Sequence, residues 1–592
     1  MHVKRIRLRF ILFSLLFIII TLSIALVKNQ HNPAIPIKEL TVVEQLSKDM
    51  ARYHPGQQVE FHARLRNSKE DKTHLKVQYY HLDKIIDEEI IMVEGKSLDW
   101  SWTPPAKDYR GYFVKVFPVG NEKESQSIAI DVSSTWTKFP RYGILSDFSE
   151  MSKNRKESVL NQLKRYHING LQFYDWHDEH HLPLKMTDGN VQKNWANIAN
   201  QPVSFQTLKD YINLSHDRNI ETMAYNLLNG SLEKAEDDGV LPEWYLYKDQ
   251  NSDEVDTHDL PDQWKSDIFL TDPGNEAWQQ YIILQQKIVF NHLPFDGWHI
   301  DQLGDRGEVY NFYGESVDLE IAYFDFLKTV HNQLPNQTII MNAVNQYGQV
   351  QISKTGAPFL YTEVWNPTKT YKQLKDILEE NAENHGKSTV LAAYMNYNKS
   401  DNEGSFNTAG ILYTDALIFA HGGGHLELGE HMLSKEYFPH NKLIMSERLK
   451  SSLTHYYDFM VGYQNLLRDN LEPAEVDAQT SEWVSLSHQP KQGSVYTFAK
   501  QKGEKKIFHF LNYNDTDHMN WRDTNGTQTQ PKMRKDFSLT VKESKKVKKV
   551  WAASPDWNNG VPIELEFTQS NDKVQFTIPY IKYWDMVVFE YE

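Results

Sequence analysis

The sequence predicts a multidomain chain in which a central (β/α)8 TIM barrel, residues 136–470, is flanked by an N-terminal immunoglobulin-like β-sandwich and a C-terminal all-β sandwich. Three observations predict it. Apolar strand patterns alternate with helical patterns through the middle of the chain, as in a sheet built from β-α repeats. Those strand patterns number eight, the number that closes a barrel. On both sides the pattern changes to short runs of alternating apolar and polar residues separated by turn residues.

Residues 1–38 stand apart as a signal peptide or membrane anchor plus linker. Lys4, Arg5, Arg7 and Arg9 precede an apolar run from Phe10 to Val27, and a basic flank ahead of such a run keeps that end in the cytoplasm. Ser23-Ile24-Ala25 offers a small-residue cleavage site. The rest is expected outside, secreted or anchored to the outer face of a bacterial cytoplasmic membrane. The chain has no cysteine, so disulfides and thiolate chemistry are excluded together and stability must come from core size. With 592 residues, 40% hydrophobic and 12% aromatic, several cores can be built. A net charge of −16 speaks against nucleic acid, which needs clustered Lys and Arg. A monomer is expected.

Within 39–135, QVEFHARL, HLKVQYYHL and GYFVKVFPV alternate at period two. Within 471–592, VYTFAK, KKIFHFLNY, KKVKKVWAA, PIELEFT, KVQFTIPY and DMVVFEYE do the same. Neither stretch gathers titratable residues, so both read as packing or sugar-binding modules. The barrel strands are expected at 142–148, 168–176, 221–228, 295–303, 337–344, 359–365, 388–395 and 416–428. Helical patterns such as KESVLNQLKRYH, EAWQQYIILQQKIVF and DLEIAYFDFLKTVHNQL separate several of them.

Catalytic groups gather at the C-terminal strand ends of such a barrel. Asp147, Asp175, Asn226, Asp301, Glu363 and Glu427 all fall there. Desolvated carboxylates must be paired or protonated, so gathering several is costly unless function requires it. Acids ringed by Tyr174, Trp176, Trp298, Trp365 and Tyr394 are what glycoside cleavage asks for, because one attacks the anomeric carbon, another protonates the leaving oxygen, and aromatic faces stack on sugar. In AHGGGHLELGEH, His421, His425 and Glu427 would share one side of a strand and imitate a metal triad. Hydrogen bonding to sugar hydroxyls is the preferred reading there, and no metal or cofactor is assigned, although oxygen-rich loops could hold structural calcium. HDEHH, 177–181, reads as a solvated loop. Trp195 and Trp244 could floor neighbouring subsites or serve as packing lids. No phosphate-cradling glycine motif or nucleophile elbow is present.

QFYDWHDEHHLPL, FDGWHIDQLGDRG, YTEVW and GGGHLELGEHMLSKEYFP, in that order, resemble glycoside hydrolase family 66, the endo-dextranases and cycloisomaltooligosaccharide glucanotransferases. The resemblance implies retaining cleavage of α-1,6-glucan, with Asp301 as nucleophile and Glu363 as general acid and base. Retention requires their carboxyl groups about 5 to 5.5 Å apart, and Glu363 should carry the raised pKa, through Trp365 and an ionised Asp301. A structural acid paired with a neighbour such as Arg306 is the alternative for each. Tyr174 and Asp175 would hold the glucose whose bond is cut, with Trp365, Asn226, His299, Gln302 and Glu427 in the same shell.

Cyclising members of that family typically carry a carbohydrate-binding module inserted in the barrel. No alternating-strand block long enough for one interrupts 136–470, which favours an endo-dextranase of dextran over a glucanotransferase. A non-catalytic surface glucan-binding protein, or an α-glucosidase on another linkage, are the remaining readings.

Overall fold

A computed structural model of the chain describes residues 42–66, 72–436, 440–482 and 484–592. The apolar N-terminal run, with its expected role as signal or anchor, lies outside the described residues. Among the described residues no helix is long and apolar enough to cross a membrane.

The middle of the chain forms parallel strands β1 (Tyr142–Leu145), β2 (Gly170–Phe173), β3 (Glu221–Leu227), β4 (Gly297–Asp301), β5 (Thr338–Met341), β6 (Leu360–Glu363), β7 (Thr389–Ala392) and β8 (Gly424–His425). β1 to β5 lie side by side in chain order, and so do β6 to β8. A parallel bridge between Asn342 and Tyr361 joins the two sets. Ile144 in β1 donates its backbone N–H to the carbonyl of Leu428, just past β8, at 3.0 Å. The order of neighbours therefore returns to its start. β1, β2 and β7 are buried along their whole length, as strands covered on both faces must be.

A helix follows each strand: α1 (Lys153–Arg165), α2 (Phe205–His216), α3 (Glu276–His292), α4 (Leu319–Gln333), α5 (Gln349–Ser353), α6 (Tyr371–His385), α7 (Thr408–Ala420) and α8 (Glu447–Gly462). All but the short α5 start at a side-chain cap: Ser152, Ser204, Asn275, Asp318, Thr370, Asn407 and Ser446 each accept from a first-turn backbone N–H. Each cap stabilises its helix by about 1 kcal/mol and sets where the preceding loop stops.

One expected strand is different. Residues 416–420, expected to begin the eighth strand, belong to α7, and only Gly424–His425 pair as β8. From Ala409 to Ala420 this helix is buried on every side. An apolar run buried all round carries no period to separate helix from strand.

Ahead of the ring, Val43–Lys48, Val59–Leu65 and Ser97–Trp102 form one antiparallel sheet, and Lys84–Glu94, Lys72–His81, Arg110–Pro118 and Gln126–Val132 another. Alternation turns Val59, Phe61, Ala63 and Leu65 into a core shared with Val77, Tyr79, Val114 and Val116. Beyond the ring, a sheet centred on Lys505–Asn512 and Trp584–Tyr591 faces one built on Arg534–Lys542 and Lys573–Ile581, with Phe508, Phe510, Phe537 and Phe589 in a common core.

The leading sheets are fastened to the ring by buried charge. Arg141 Nη2 donates to Asp131 Oδ2 at 2.6 Å, with side chains 1% and 0% exposed, and Gln464 Nε2 donates to Asp131 Oδ1 at 2.9 Å. Burial acts to raise the Asp131 carboxyl, and Arg141 with Gln464 and Ser133 outweighs it, so the group sits below its ordinary range. Asp458 in α8 accepts from the backbone N–H of Ala129 at 3.0 Å and from Arg165 Nη2 at 2.9 Å. Close approach at this seam requires glycine, because a Cβ on Gly111 would lie 2.0 Å from the Val461 carbonyl oxygen. Asp131→Ala leaves Arg141 buried without a counter-charge, so a loss of about 3–5 kcal/mol is expected. Denaturant titration checks this; a loss below about 1 kcal/mol would mean the pair behaves like an exposed one.

Candidate active site

The C-terminal ends of the ring strands open on a cavity of about 410 Å³. Asp301 ends β4 and Glu363 ends β6, and both line it with Asp175, Tyr225, Tyr361 and Tyr394.

Asp301 is held by three donors. Its Oδ1 accepts from the Gln302 backbone N–H and from Asn342 Nδ2, each at 2.8 Å, and its Oδ2 accepts from the Tyr225 hydroxyl at 2.8 Å. Burial raises the carboxyl, and these donors work against it by favouring the charged form. Glu363 has fewer. Its Oε1 accepts from the Tyr394 hydroxyl at 3.0 Å and its Oε2 from Asn342 Nδ2 at 3.4 Å. Burial and the neighbouring Asp301 charge push Glu363 up to about 8. Trp365 acts against the expected direction, since its hydrogen bond lowers rather than raises this group.

The Asn342 amide nitrogen thus touches both acids. With 2.8 Å to Asp301 Oδ1 and 3.4 Å to Glu363 Oε2, those two oxygens are at most the sum of these distances, 6.2 Å, apart. Arg306 is not a partner of either acid: it is bound to Asp256, Nε to Oδ2 at 2.9 Å.

Asp175 follows β2 with φ of 47°, the left-handed region that a non-glycine residue adopts only where the surroundings impose it. Burial, then the Asp301 charge, push its carboxyl up to about 8. Tyr174 beside it packs on Tyr225, ring centres 4.4 Å apart. His299 lines the cavity 3.2 Å from the Tyr142 hydroxyl through Nδ1, and burial lowers it to about 3, so the ring is neutral. Gln302 also lines it, but its Nε2 donates to the Asn342 carbonyl at 3.3 Å, which makes it a support for Asn342. Trp365 lines the wall beside Glu363.

Other expected residues lie elsewhere. Asn226 does not line the cavity: period two turns Tyr225 inward instead, and Asn226 Nδ2 donates to the His180 carbonyl at 2.8 Å. Glu427 also stays outside, accepting from the Tyr457 hydroxyl of α8 at 2.9 Å. Asp147 is bound to Ser149 and Arg155. Trp176 and Trp298 are core residues with no exposure, and Trp195 is a packing residue that donates to the Trp176 carbonyl at 2.9 Å. Trp244 packs on Trp278 and Tyr281.

HDEHH is not solvated. His177, His180 and His181 are buried; His180 Nδ1 meets Asn226 Oδ1 at 2.9 Å, and Asp178 is answered by Lys265 at 2.6 Å and Lys185 at 3.0 Å, while both ring nitrogens of His177 and Nε2 of His180 have no hydrogen-bond partner. His421 does not join His425; it stacks on Phe498 at 4.2 Å, facing the C-terminal sheets. Two groups among the described residues have metal-like spacing, Asp415–His425–Glu427 and Glu179–His181–Asp238. In the first, both imidazole nitrogens are engaged, with Asp415 Oδ1 and the Ala393 carbonyl oxygen each at 2.8 Å.

Asn342, Tyr225, Tyr361 and Glu436 line the cavity without having been singled out from the sequence. Asn342 carried a usable signal, a polar residue ending the apolar run TIIM.

Buried paired acids at parallel strand ends, walled by tyrosine and tryptophan, define an enzyme that works on glycosidic bonds. The chain belongs to glycosyl hydrolase family 66, whose profile matches residues 48–588. It is similar to two cycloisomaltooligosaccharide glucanotransferases of Niallia circulans, each 27% identical, over 92% and 98% of this chain and 71% and 75% of theirs. It is also similar to a dextranase of Streptococcus salivarius, 24% identical over 79% of this chain and 66% of that protein. Its fold is similar to that of a Paenibacillus cycloisomaltooligosaccharide glucanotransferase complexed with cycloisomaltoheptaose, with TM-score 0.87 and 24% identity over 93% of this chain and 99% of that one. The first glucanotransferase match spans 700 residues, whereas this chain has 592, so at least 108 positions of that span have no counterpart here.

Proposed function

We propose that the protein is an endo-acting, retaining glycoside hydrolase that cleaves α-1,6-glucosidic bonds of dextran to isomalto-oligosaccharides. In this reading the ring is a (β/α)8 barrel at 136–470, an immunoglobulin-like sandwich precedes it at 39–135, a second sandwich follows at 471–592, and the enzyme acts outside the cell. One observation carries the mechanism: a single amide nitrogen, Asn342 Nδ2, bonds both Asp301 and Glu363. The 6.2 Å ceiling this sets on one pair of their oxygens supports the closer spacing of a retaining pair over the roughly 6.5–9.5 Å between the carboxyl groups of an inverting one.

Asp301, its charged form favoured by three donors, attacks the anomeric carbon and forms a glycosyl-enzyme. Glu363, protonated below about 8, gives its proton to the leaving oxygen, then takes one from the water that releases the sugar. Tyr174 and Asp175 hold the ring being cut, Asp175 through its hydroxyls, and Trp365 and His299 wall the same subsite.

Cyclising transfer, named for the two Niallia relatives, is the second reading. The positions without a counterpart here, at least 108 in total, support hydrolysis. Mass spectrometry of products from dextran separates the two. Linear isomalto-oligosaccharides are expected; rings, each one water lighter, would make the protein a glucanotransferase, and no product would remove the assignment as an enzyme of α-1,6-glucan.

A further inference from the structure

Arg522 lies in the connection between Lys505–Asn512 and Arg534–Lys542, far along the chain from the ring, yet it sits at the ends of β6 and β7. Its Nη2 donates to the carbonyl of Val364 at 2.7 Å, immediately after Glu363. Its Nη1 donates to the carbonyl of Tyr394 at 3.0 Å, and the Tyr394 hydroxyl in turn donates to Glu363 Oε1 at 3.0 Å. The guanidinium lies over the rings of Trp521, Trp365 and Tyr397, at 4.6, 5.1 and 5.4 Å.

The connection that carries it is tied down on both sides. Trp521 Nε1 donates to the Thr368 carbonyl at 3.1 Å, the Asn396 backbone N–H donates to the Arg522 carbonyl at 2.9 Å, and Asn396 Nδ2 donates to the Asp523 carbonyl at 2.8 Å. A guanidinium holds two N–H groups in a rigid fork and stacks on aromatic faces, which a lysine ammonium cannot reproduce.

We infer that Arg522 is a positioning residue for proton transfer: by bridging the carbonyls of Val364 and Tyr394 it sets the spacing of the β6 and β7 ends and so the aim of the Glu363 carboxyl. The inference rests on the acid/base reading of Glu363. Around that carboxyl also stand Asp301 on β4, Tyr361 on β6, Tyr174 after β2, and Glu436 after β8, none of which Arg522 replaces.

Arg522→Ala and Arg522→Lys are compared on dextran and on α-isomaltosyl fluoride, whose leaving group departs without a proton; fluoride release is read in the first turnover. Misaiming an acid should lower kcat on dextran by about 10- to 100-fold in both variants, with KM changed less than about two-fold. First-turnover fluoride release should stay within about two-fold of the parent. Recovery of dextran kcat by lysine would reduce the role to charge and overturn the inference. So would equal losses on both substrates, or a loss carried by KM. If the alanine variant does not fold, the lysine variant decides, since it keeps the charge and loses the fork. Glu363→Gln is run beside them. Dextran turnover surviving in that variant would bring down the acid/base reading itself, whereas its loss with Arg522→Ala matching the parent would bring down only the role of Arg522.

Discussion

Asp301→Ala is expected to lose dextran cleavage by on the order of 10⁴-fold or more in kcat, because no second group can form the glycosyl-enzyme. Three donors, from Tyr225, Gln302 and Asn342, converge on this carboxylate. They favour the ionised form a nucleophile needs and oppose a burial that nonetheless leaves the carboxyl raised. Truncation to alanine leaves those donors facing a gap the size of a small anion. Azide should enter it and restore turnover, releasing a glycosyl azide of inverted anomeric configuration. Activity within about ten-fold of the parent would remove Asp301 from the mechanism. If dextran were bound unchanged and the parent also made no product, the chain would be a binding protein.

Glu363→Gln should lower kcat on dextran by about 10²- to 10⁴-fold, the usual worth of a positioned acid and base. The pH profile is the sharper measurement. Glu363 is pushed up to about 8, so it carries its proton below that pH and loses it as pH rises through it. The parent's alkaline limb should therefore fall near that value, while the acid limb reports protonation of Asp301. In the glutamine variant the alkaline limb should disappear from whatever rate remains. An alkaline limb that persisted unchanged would belong to another group, and the assignment would fail. The same shift has a stability side. A carboxyl whose folded pKa lies above its unfolded value of about 4.3 favours the fold at low pH, and this contribution is lost as pH rises towards about 8.

Much of this site could be read from the chain because its residues end strands. Asp301, Glu363, Tyr174, Asp175, His299, Gln302 and Trp365 all line the cavity, since an apolar run broken by an acid is a local pattern with a local meaning. Asn226 lies within β3 and Glu427 just past β8, but facing depends on a parity that shifts with one residue of register. HDEHH looked solvated because composition does not reveal that the fold buries it and that Asn226, Lys185 and Lys265 meet His180 Nδ1 and Asp178 there. Trp176 and Trp298 carried the same aromatic signal as Trp365 but are fully buried, Trp298 within β4 and Trp176 past the end of β2. Arg522 gave no sign, because its partners are two backbone carbonyls brought near only by the complete fold.

The buried junction of Asp131, Arg141 and Asp458 bears on how this enzyme can be recombined or cut down. A shortened chain starting at the ring would keep Arg141 inside with no carboxylate opposite it, and Phe113, which packs on Tyr463 at 5.1 Å, would be gone from its seat. Exchanging the leading module with that of a relative would succeed only if the donor brought the acid, the glycine at the close approach and the aromatic ring together. These parts are therefore inherited as a set, and libraries built for altered chain-length preference should vary the loops above the cavity and leave the seams intact.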